Sequence, residues 1–165
     1  MRSSTFTYGL IDRETHQAAI IDPVDEHLYI YLTLIHDKKL QLVYILETHA
    51  QADHITFAGE LFRETGANAA TPLHCNITPA EIQLADGQKI HFGKNQVILA
   101  IHTLGHTSGA MTFFWSGKLF TGETLLINGC GRTDFQSSDS GEMYDSITQK
   151  LFSFPDETIV YPGHD

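Results

Sequence analysis

Short apolar runs separated by polar turn residues recur along the whole chain. Apolar runs of four to eight residues bounded by Gly, Pro, Asn, Asp or Ser are typical of β-strands. On this basis strands are predicted over Thr5–Ile11, Ala18–Asp22, Leu42–Leu46, Asn68–Thr71, Lys89–Phe92, Val97–Thr103, Met111–Trp115, Lys118–Thr121 and Thr158–Tyr161. The first two are predicted to form a hairpin. Ser116-Gly117 predicts a tight turn between the strands Met111–Trp115 and Lys118–Thr121.

Three segments have the periodicity of a helix instead. Apolar residues at spacings of three and four predict a helix over Asp25–Lys39. A second helix is predicted over Ile55–Thr65, ended by Gly66 at the position after its C-cap. Met143, Ile147 and Leu151 mark a third. Strands and helices come in a mixed order, which favours two packed sheets flanked by helices in a single domain spanning residues 1–165.

Composition narrows the functional classes. The 165 residues include 10 Lys and Arg against 20 Asp and Glu, for a formal charge of −10. Because there is no basic run, we expect no nucleic-acid surface. Since no signal peptide or membrane span is evident, we expect a cytoplasmic protein whose two cysteines are thiols. The ten histidines are dispersed and many for this length, and histidine is the commonest metal ligand.

Metal-ligand residue types follow the ends of several predicted strands. The segments are His49-Ala50-Gln51-Ala52-Asp53-His54, Leu104-Gly105-His106-Thr107, Phe120-Thr121-Gly122-Glu123 and Tyr161-Pro162-Gly163-His164-Asp165. Taken alone, His49 could equally be a structural histidine rather than a metal ligand. Taken alone, Glu123 is better explained as a solvated carboxylate. Together the segments predict one shared metal site, because ligands of α/β proteins collect at the carboxyl ends of strands.

These segments resemble the metal-binding motifs of the metallo-β-lactamase superfamily. The similarity is closest to its persulfide dioxygenase branch, on the string Gly129-Cys130-Gly131-Arg132-Thr133-Asp134-Phe135-Gln136 and on Ile21-Asp22-Pro23 and Gly105-His106-Thr107. The resemblance implies an αββα sandwich of the α/β class. It also implies that this chain is shortened at its C-terminus, since relatives continue beyond Asp165.

The resemblance implies one Fe(II) per chain, held by His49, His106 and Glu123, with Zn(II) as a substitute ion. Two histidines and one carboxylate form the facial triad that leaves positions open for substrate and O₂. Gln51, Asp53, His54 and His164 would surround this metal without binding it. Two residues depart from the family pattern. Gln51 stands where a histidine is expected, and Glu123 replaces an aspartate, which adds a carbon–carbon bond of about 1.5 Å.

The same resemblance implies a substrate and the residues that bind it. Glutathione persulfide, or a related small thiol, would react with O₂ to give sulfite and glutathione. Arg132, Cys130 and Thr107 would lie at the substrate. An ion pair with Asp134 is the alternative role for Arg132, and a small buried hydrophobic residue is the alternative for Cys130.

Two other functions stay open at this point. The first is a non-catalytic or inactive metal-binding relative, and the second is a glyoxalase II-type thioester hydrolase, which normally uses the second metal that Gln51 disfavours. In either case a shortened C-terminus should leave the strand Thr158–Tyr161 uncovered. Exposed strand edges pair with other chains, so we expect a homo-oligomer.

Overall fold

Ten strands in two sheets are found within residues 5–49, 57–73, 81–134 and 137–165, which the structure, a computed structural model, describes. The strands are β1 (Tyr8–Ile11), β2 (Gln17–Ile21), β3 (Gln41–Leu46), β4 (Asn68–Pro72), β5 (Ile82–Leu84), β6 (Lys89–Phe92), β7 (Gln96–His102), β8 (Met111–Trp115), β9 (Lys118–Gly122) and β10 (Ile159–Pro162). The first sheet has the order β1-β2-β3-β4-β5 and the second the order β10-β9-β8-β7-β6.

The strand directions bring several strand ends to one edge of the sandwich. In the first sheet β2 to β5 run parallel and only β1 is antiparallel. In the second sheet β6 to β9 alternate in direction, and β10 runs parallel to β9. Therefore β7, β9 and β10 all end at the same edge. The backbone N–H of Met111 donates to the carbonyl of Thr48 at 2.7 Å, which joins this edge to the end of β3.

Helices cover the first sheet and follow the second. These are α1 (Leu28–Asp37), preceded by a 3₁₀ turn over Asp25–His27, α2 (Phe57–Thr65) and α3 (Ser140–Asp145), which continues as irregular helical turns to Ser153. Alternate residues of β2 supply two separate cores. Ala19 and Ile21 pack between the sheets, whereas Ala18 and Ile20 pack towards the helices. This two-sided burial is expected of a parallel sheet. Within the described residues no helix is long and apolar enough to cross a bilayer.

The predicted sandwich with flanking helices is confirmed. The differences between the predicted and observed elements are confined to strand and helix ends and to one short strand. β1 begins at Tyr8 rather than Thr5, and α1 ends at Asp37 rather than Lys39. β5 was not predicted, because three residues are too short for a period-two pattern to be read. The tight turn at Ser116-Gly117 is confirmed by φ angles of 50° and 77°, as a type I′ turn requires.

Candidate metal centre

Four of the predicted metal-site residues follow strands that end at the common edge. His49 lies three residues after β3, His106 in the loop after β7, Glu123 directly after β9, and His164 two residues after β10. The last two strands are further joined by the N–H of Gly163, which donates to the carbonyl of Gly122 at 2.8 Å. The order of the strands, rather than proximity along the chain, therefore collects these side chains.

The imidazoles of His49 and His106 lie side by side. Their ring centroids are 5.2 Å apart and the rings are nearly perpendicular, at 81°. His49 is 8% exposed. The Nδ1 atom of His106 lies 3.0 Å from the carbonyl oxygen of Arg132, and a carbonyl can only accept. The Nδ1 atom of His106 is therefore the donor in this contact, as in metal-binding histidines, which donate from one ring nitrogen to a carbonyl and bind the metal through the other.

The carboxylate of Glu123 contacts the Nδ1 atom of His164. The Nε2 atom of His164 is in turn 3.1 Å from the hydroxyl of Thr5. Two glycines make room for the glutamate. A Cβ atom on Gly163 would lie 2.9 Å from Glu123 Oε1, and one on Gly131 would lie 3.0 Å from Glu123 Cβ and 2.9 Å from His106 Nδ1. Neither position therefore accommodates a side chain without displacing the site.

A cluster of three buried threonine hydroxyls links the loops that carry His106 and Glu123. The hydroxyl of Thr124 donates to the carbonyl of Thr103 at 3.1 Å and lies 3.0 Å from its hydroxyl. The hydroxyl of Thr103 also lies 3.0 Å from that of Thr112. Since Thr124 directly follows Glu123, the cluster fixes the backbone from which the glutamate projects.

Two acidic residues behind His49 were not predicted to belong to the site. Ile21 and Leu46 are paired in the parallel register of β2 and β3, so Asp22 and Glu47 follow at the same level. Burial raises the pKa of Asp22 to about 6, and backbone and hydroxyl hydrogen bonds from Thr48 partly oppose this. Burial, and then the charge of Asp22, raise the pKa of Glu47 to about 7. The sequence signal that could have placed these two residues at the site is that each acidic residue directly follows an apolar strand.

The three predicted substrate-binding residues differ in their surroundings. Arg132 is exposed and donates two hydrogen bonds to the carboxylate of Asp134, at 2.9 and 3.1 Å, so the alternative ion pair is present. Cys130 is exposed, so its interpretation as a small buried residue is wrong. The hydroxyl of Thr107 is buried and has no hydrogen-bond partner among the described residues, which is unusual for a hydroxyl.

The predicted supporting residues Gln51, Asp53 and His54 lie outside the described residues, so their roles stay predictions. Among the residues that are described, no three His, Cys, Asp or Glu side chains converge closely enough to hold a metal ion as they stand. The donor chemistry nevertheless fits one ion, because His49, His106 and Glu123 supply two imidazoles and one carboxylate. Binding through all three requires the Glu123 carboxylate to turn from His164, or to be shared with it.

Comparison with known proteins supports the family that the sequence motifs resemble. Residues 79–164 match the model of the metallo-beta-lactamase superfamily. The chain is 39% identical to human "Persulfide dioxygenase ETHE1, mitochondrial", over 99% of this chain and 65% of the relative. It is 30% identical to "Hydroxyacylglutathione hydrolase cytoplasmic" of Arabidopsis thaliana, over 97% of this chain and 63% of the relative. The crystal structure of ETHE1 from Myxococcus xanthus superposes with a TM-score of 0.93 at 40% identity, covering 99% of this chain and 72% of that one. The chain thus spans about two thirds of the length of these relatives.

Proposed function

Because this chain belongs to the metallo-β-lactamase superfamily, we propose that it is a persulfide dioxygenase-type oxidoreductase with one iron ion per chain. The substrates proposed are O₂ and glutathione persulfide, or the persulfide of a related small thiol. The observation that carries this proposal is the pair of adjacent imidazoles, His49 and His106, with Glu123 on the neighbouring loop. That donor set is the one that suits Fe(II) with open coordination positions.

His49 and His106 would bind Fe(II) through Nε2, and Glu123 through its carboxylate. The bound ion would supply the redox chemistry and the open positions, whereas the protein supplies ligands and orientation. The overall reaction balances as RSSH + O₂ + H₂O → RSH + SO₃²⁻ + 2H⁺. The sulfur–sulfur bond breaks, four electrons pass from the terminal sulfur to O₂, and water provides the third oxygen of sulfite.

Two residues near His106 are suited to hold the thiol part of the substrate. The buried hydroxyl of Thr107 can donate to or accept from a polar group of the ligand, which would satisfy it. Arg132 carries a guanidinium suited to a carboxylate of glutathione. Because Arg132 is exposed and already paired with Asp134, substrate binding would require this ion pair to open or to be shared.

Oxygen uptake tests the proposal. Protein loaded anaerobically with Fe(II) should consume O₂ when glutathione persulfide is added, with one sulfite formed per O₂. His106→Ala should reduce this rate to background, because two remaining ligands do not hold Fe(II) firmly. His36→Ala is the matched control, since His36 is an exposed histidine at the end of α1. Equal rates in the two variants, or no uptake by the parent protein, would contradict the proposal.

A thioester hydrolase is the second candidate, favoured by the similarity to hydroxyacylglutathione hydrolases and by the contact between Glu123 and His164. A carboxylate beside a further histidine is chemically able to serve a second metal ion. Rapid hydrolysis of lactoylglutathione without oxygen uptake, by protein containing two zinc ions, would establish this candidate instead. Protein with no bound metal and neither activity would indicate an inactive relative.

A further inference from the structure

Asp22 and Thr48 form a directed chain of hydrogen bonds that ends at His49. One carboxylate oxygen of Asp22 accepts the backbone N–H of Thr48 at 2.8 Å, and the other accepts its hydroxyl proton, also at 2.8 Å. The same hydroxyl oxygen lies 2.9 Å from Nδ1 of His49. A hydroxyl has one proton to donate. Since that proton goes to Asp22, the Thr48 oxygen accepts the next bond from a proton on Nδ1.

We infer that Asp22, acting through the hydroxyl of Thr48, holds His49 in the tautomer that is protonated at Nδ1. Its Nε2 atom then carries the lone pair that a metal requires. Asp22 and Thr48 are therefore positioning residues, and neither contacts the metal. This inference rests on the proposed function only in assigning His49 as a metal ligand; the tautomer itself is a property of the metal-free protein.

The surrounding backbone is arranged to preserve this chain of bonds. Asp22 has a φ angle of 50°, a left-handed conformation that is unfavourable for a residue other than glycine. Its N–H donates to the carbonyl of Leu46 at 2.9 Å, and its carbonyl accepts from the hydroxyl of Thr7 at 2.7 Å. These two bonds hold the strained residue in place, and thereby hold its carboxylate against Thr48.

A glycine of the second sheet also faces this hydroxyl. A Cβ atom on Gly122 would lie 2.4 Å from the Thr48 hydroxyl oxygen, well inside contact distance. Gly122 directly precedes the predicted ligand Glu123. The end of β9 can therefore approach the hydroxyl only because this position lacks a side chain.

His106 reaches the same tautomer by an independent route, through the carbonyl of Arg132. In both rings Nδ1 is the atom held by the protein, by a main-chain carbonyl in His106 and by the hydroxyl of Thr48, itself bonded to the Asp22 carboxylate, in His49. Asp22, whose pKa burial raises to about 6, is ionised at pH 8 and accepts both bonds from Thr48 there.

The tautomer can be measured directly. In metal-free protein with ¹⁵N-labelled histidine at pH 8, long-range ¹H–¹⁵N correlations distinguish a protonated Nδ1 from a protonated Nε2. The parent protein and Thr48→Ser, which keeps the hydroxyl, should both show His49 protonated at Nδ1. Thr48→Val should lose this preference and bind Co(II) about 10- to 100-fold more weakly, the range found for outer-shell partners of metal ligands. Thr71→Val is the control, because it removes a buried threonine hydroxyl of β4 that makes no hydrogen bond among the described residues.

A second variant keeps the test decisive should Thr48→Val not fold. In Asp22→Asn the amide oxygen accepts the Thr48 N–H, so the amide N–H₂ faces the hydroxyl. The hydroxyl must then donate to Nδ1, and His49 should change to the tautomer protonated at Nε2. An unchanged tautomer in both variants, or an Nε2–H tautomer in the parent protein, would overturn the inference. A parent protein with the expected tautomer but no affinity for Co(II) would instead contradict the proposed function alone.

Discussion

Glu47→Gln should stabilise the metal-free protein at pH 8 and leave it unchanged at pH 4. Glu47 is partly buried beside Asp22, and burial, followed by the Asp22 charge, raises its pKa to about 7 from an ordinary 4.5. The folded protein therefore binds this proton more tightly than the unfolded chain does. The contribution of Glu47 to the free energy of unfolding must therefore fall as the pH rises from 4.5 to 7, and it must stay low above pH 7.

The size of the effect follows from the shift. One pKa unit corresponds to about 1.4 kcal/mol, so the shift of Glu47 corresponds to a cost of about 3 kcal/mol for burying its charge. Part of that cost is repulsion shared with Asp22, so we expect a gain of about 1–3 kcal/mol at pH 8 from removing one charge. For a chain of this length, each kcal/mol raises the melting temperature by about 2–4 °C.

Thermal or urea unfolding of protein treated with a chelator, measured at pH 4, 6 and 8, checks this prediction. Chelation is essential because a bound cation would stabilise the carboxylate and lower its pKa. Glu157→Gln is the matched control, since Glu157 is an exposed glutamate before β10 and its change should have no such pH dependence. A Glu47→Gln protein that is less stable than the parent at pH 8 would refute the reasoning, because the carboxylate would then be stabilised in its ionised form.

Four further predictions concern the site and the surface. Glu123→Asp should raise the iron content, because the shorter carboxylate loses its contact with His164; elemental analysis showing less iron than in the parent would mean that the loop has adapted to glutamate. Thr124→Val should lower stability by about 1–3 kcal/mol through an unsatisfied buried carbonyl, and Thr124→Ser should restore it, as chemical unfolding would show. Arg132→Ala should raise KM for the persulfide without changing the iron content. An unchanged KM together with lost stability would instead indicate that Arg132 serves only in its ion pair with Asp134. β10 exposes Ile159 and Val160 at the edge of its sheet, so sedimentation should reveal a concentration-dependent dimer or larger assembly; a strict monomer would contradict this.

The sandwich could be predicted because its strands are short apolar runs whose ends are marked by turn residues. β3 and β9 were bounded to within one residue for this reason. The short strand β5 could not be predicted, because it forms by pairing with β4. No local pattern of side chains encodes that pairing. The irregular turns after α3 were likewise predicted as ordinary helix, since π and α turns differ in hydrogen bonding more than in side-chain spacing.

The site was predictable as a set of loops but not as a set of contacts. His49, His106 and Glu123 could be proposed as a set because each follows an apolar strand. The strands β7 and β9 are parallel in one sheet and end at one edge, whereas β3 belongs to the other sheet. The pairing of Glu123 with His164 joins residues 41 positions apart and depends on the register between β9 and β10. The two bonds that Thr48 donates to Asp22 depend in the same way on the register between β2 and β3.

Under the proposed assignment of Glu123 as a metal ligand, His164 and the metal ion would compete for its carboxylate. Gly163 and Gly131 leave space around the longer side chain of Glu123, and His164 contacts its carboxylate. Metal binding must therefore supply the free energy of opening or sharing this contact, so the apparent affinity is lower than the three donors alone would give. By the same linkage, any change that weakens the hold of His164, including the loss of its contact with Thr5, should strengthen metal binding without touching a ligand.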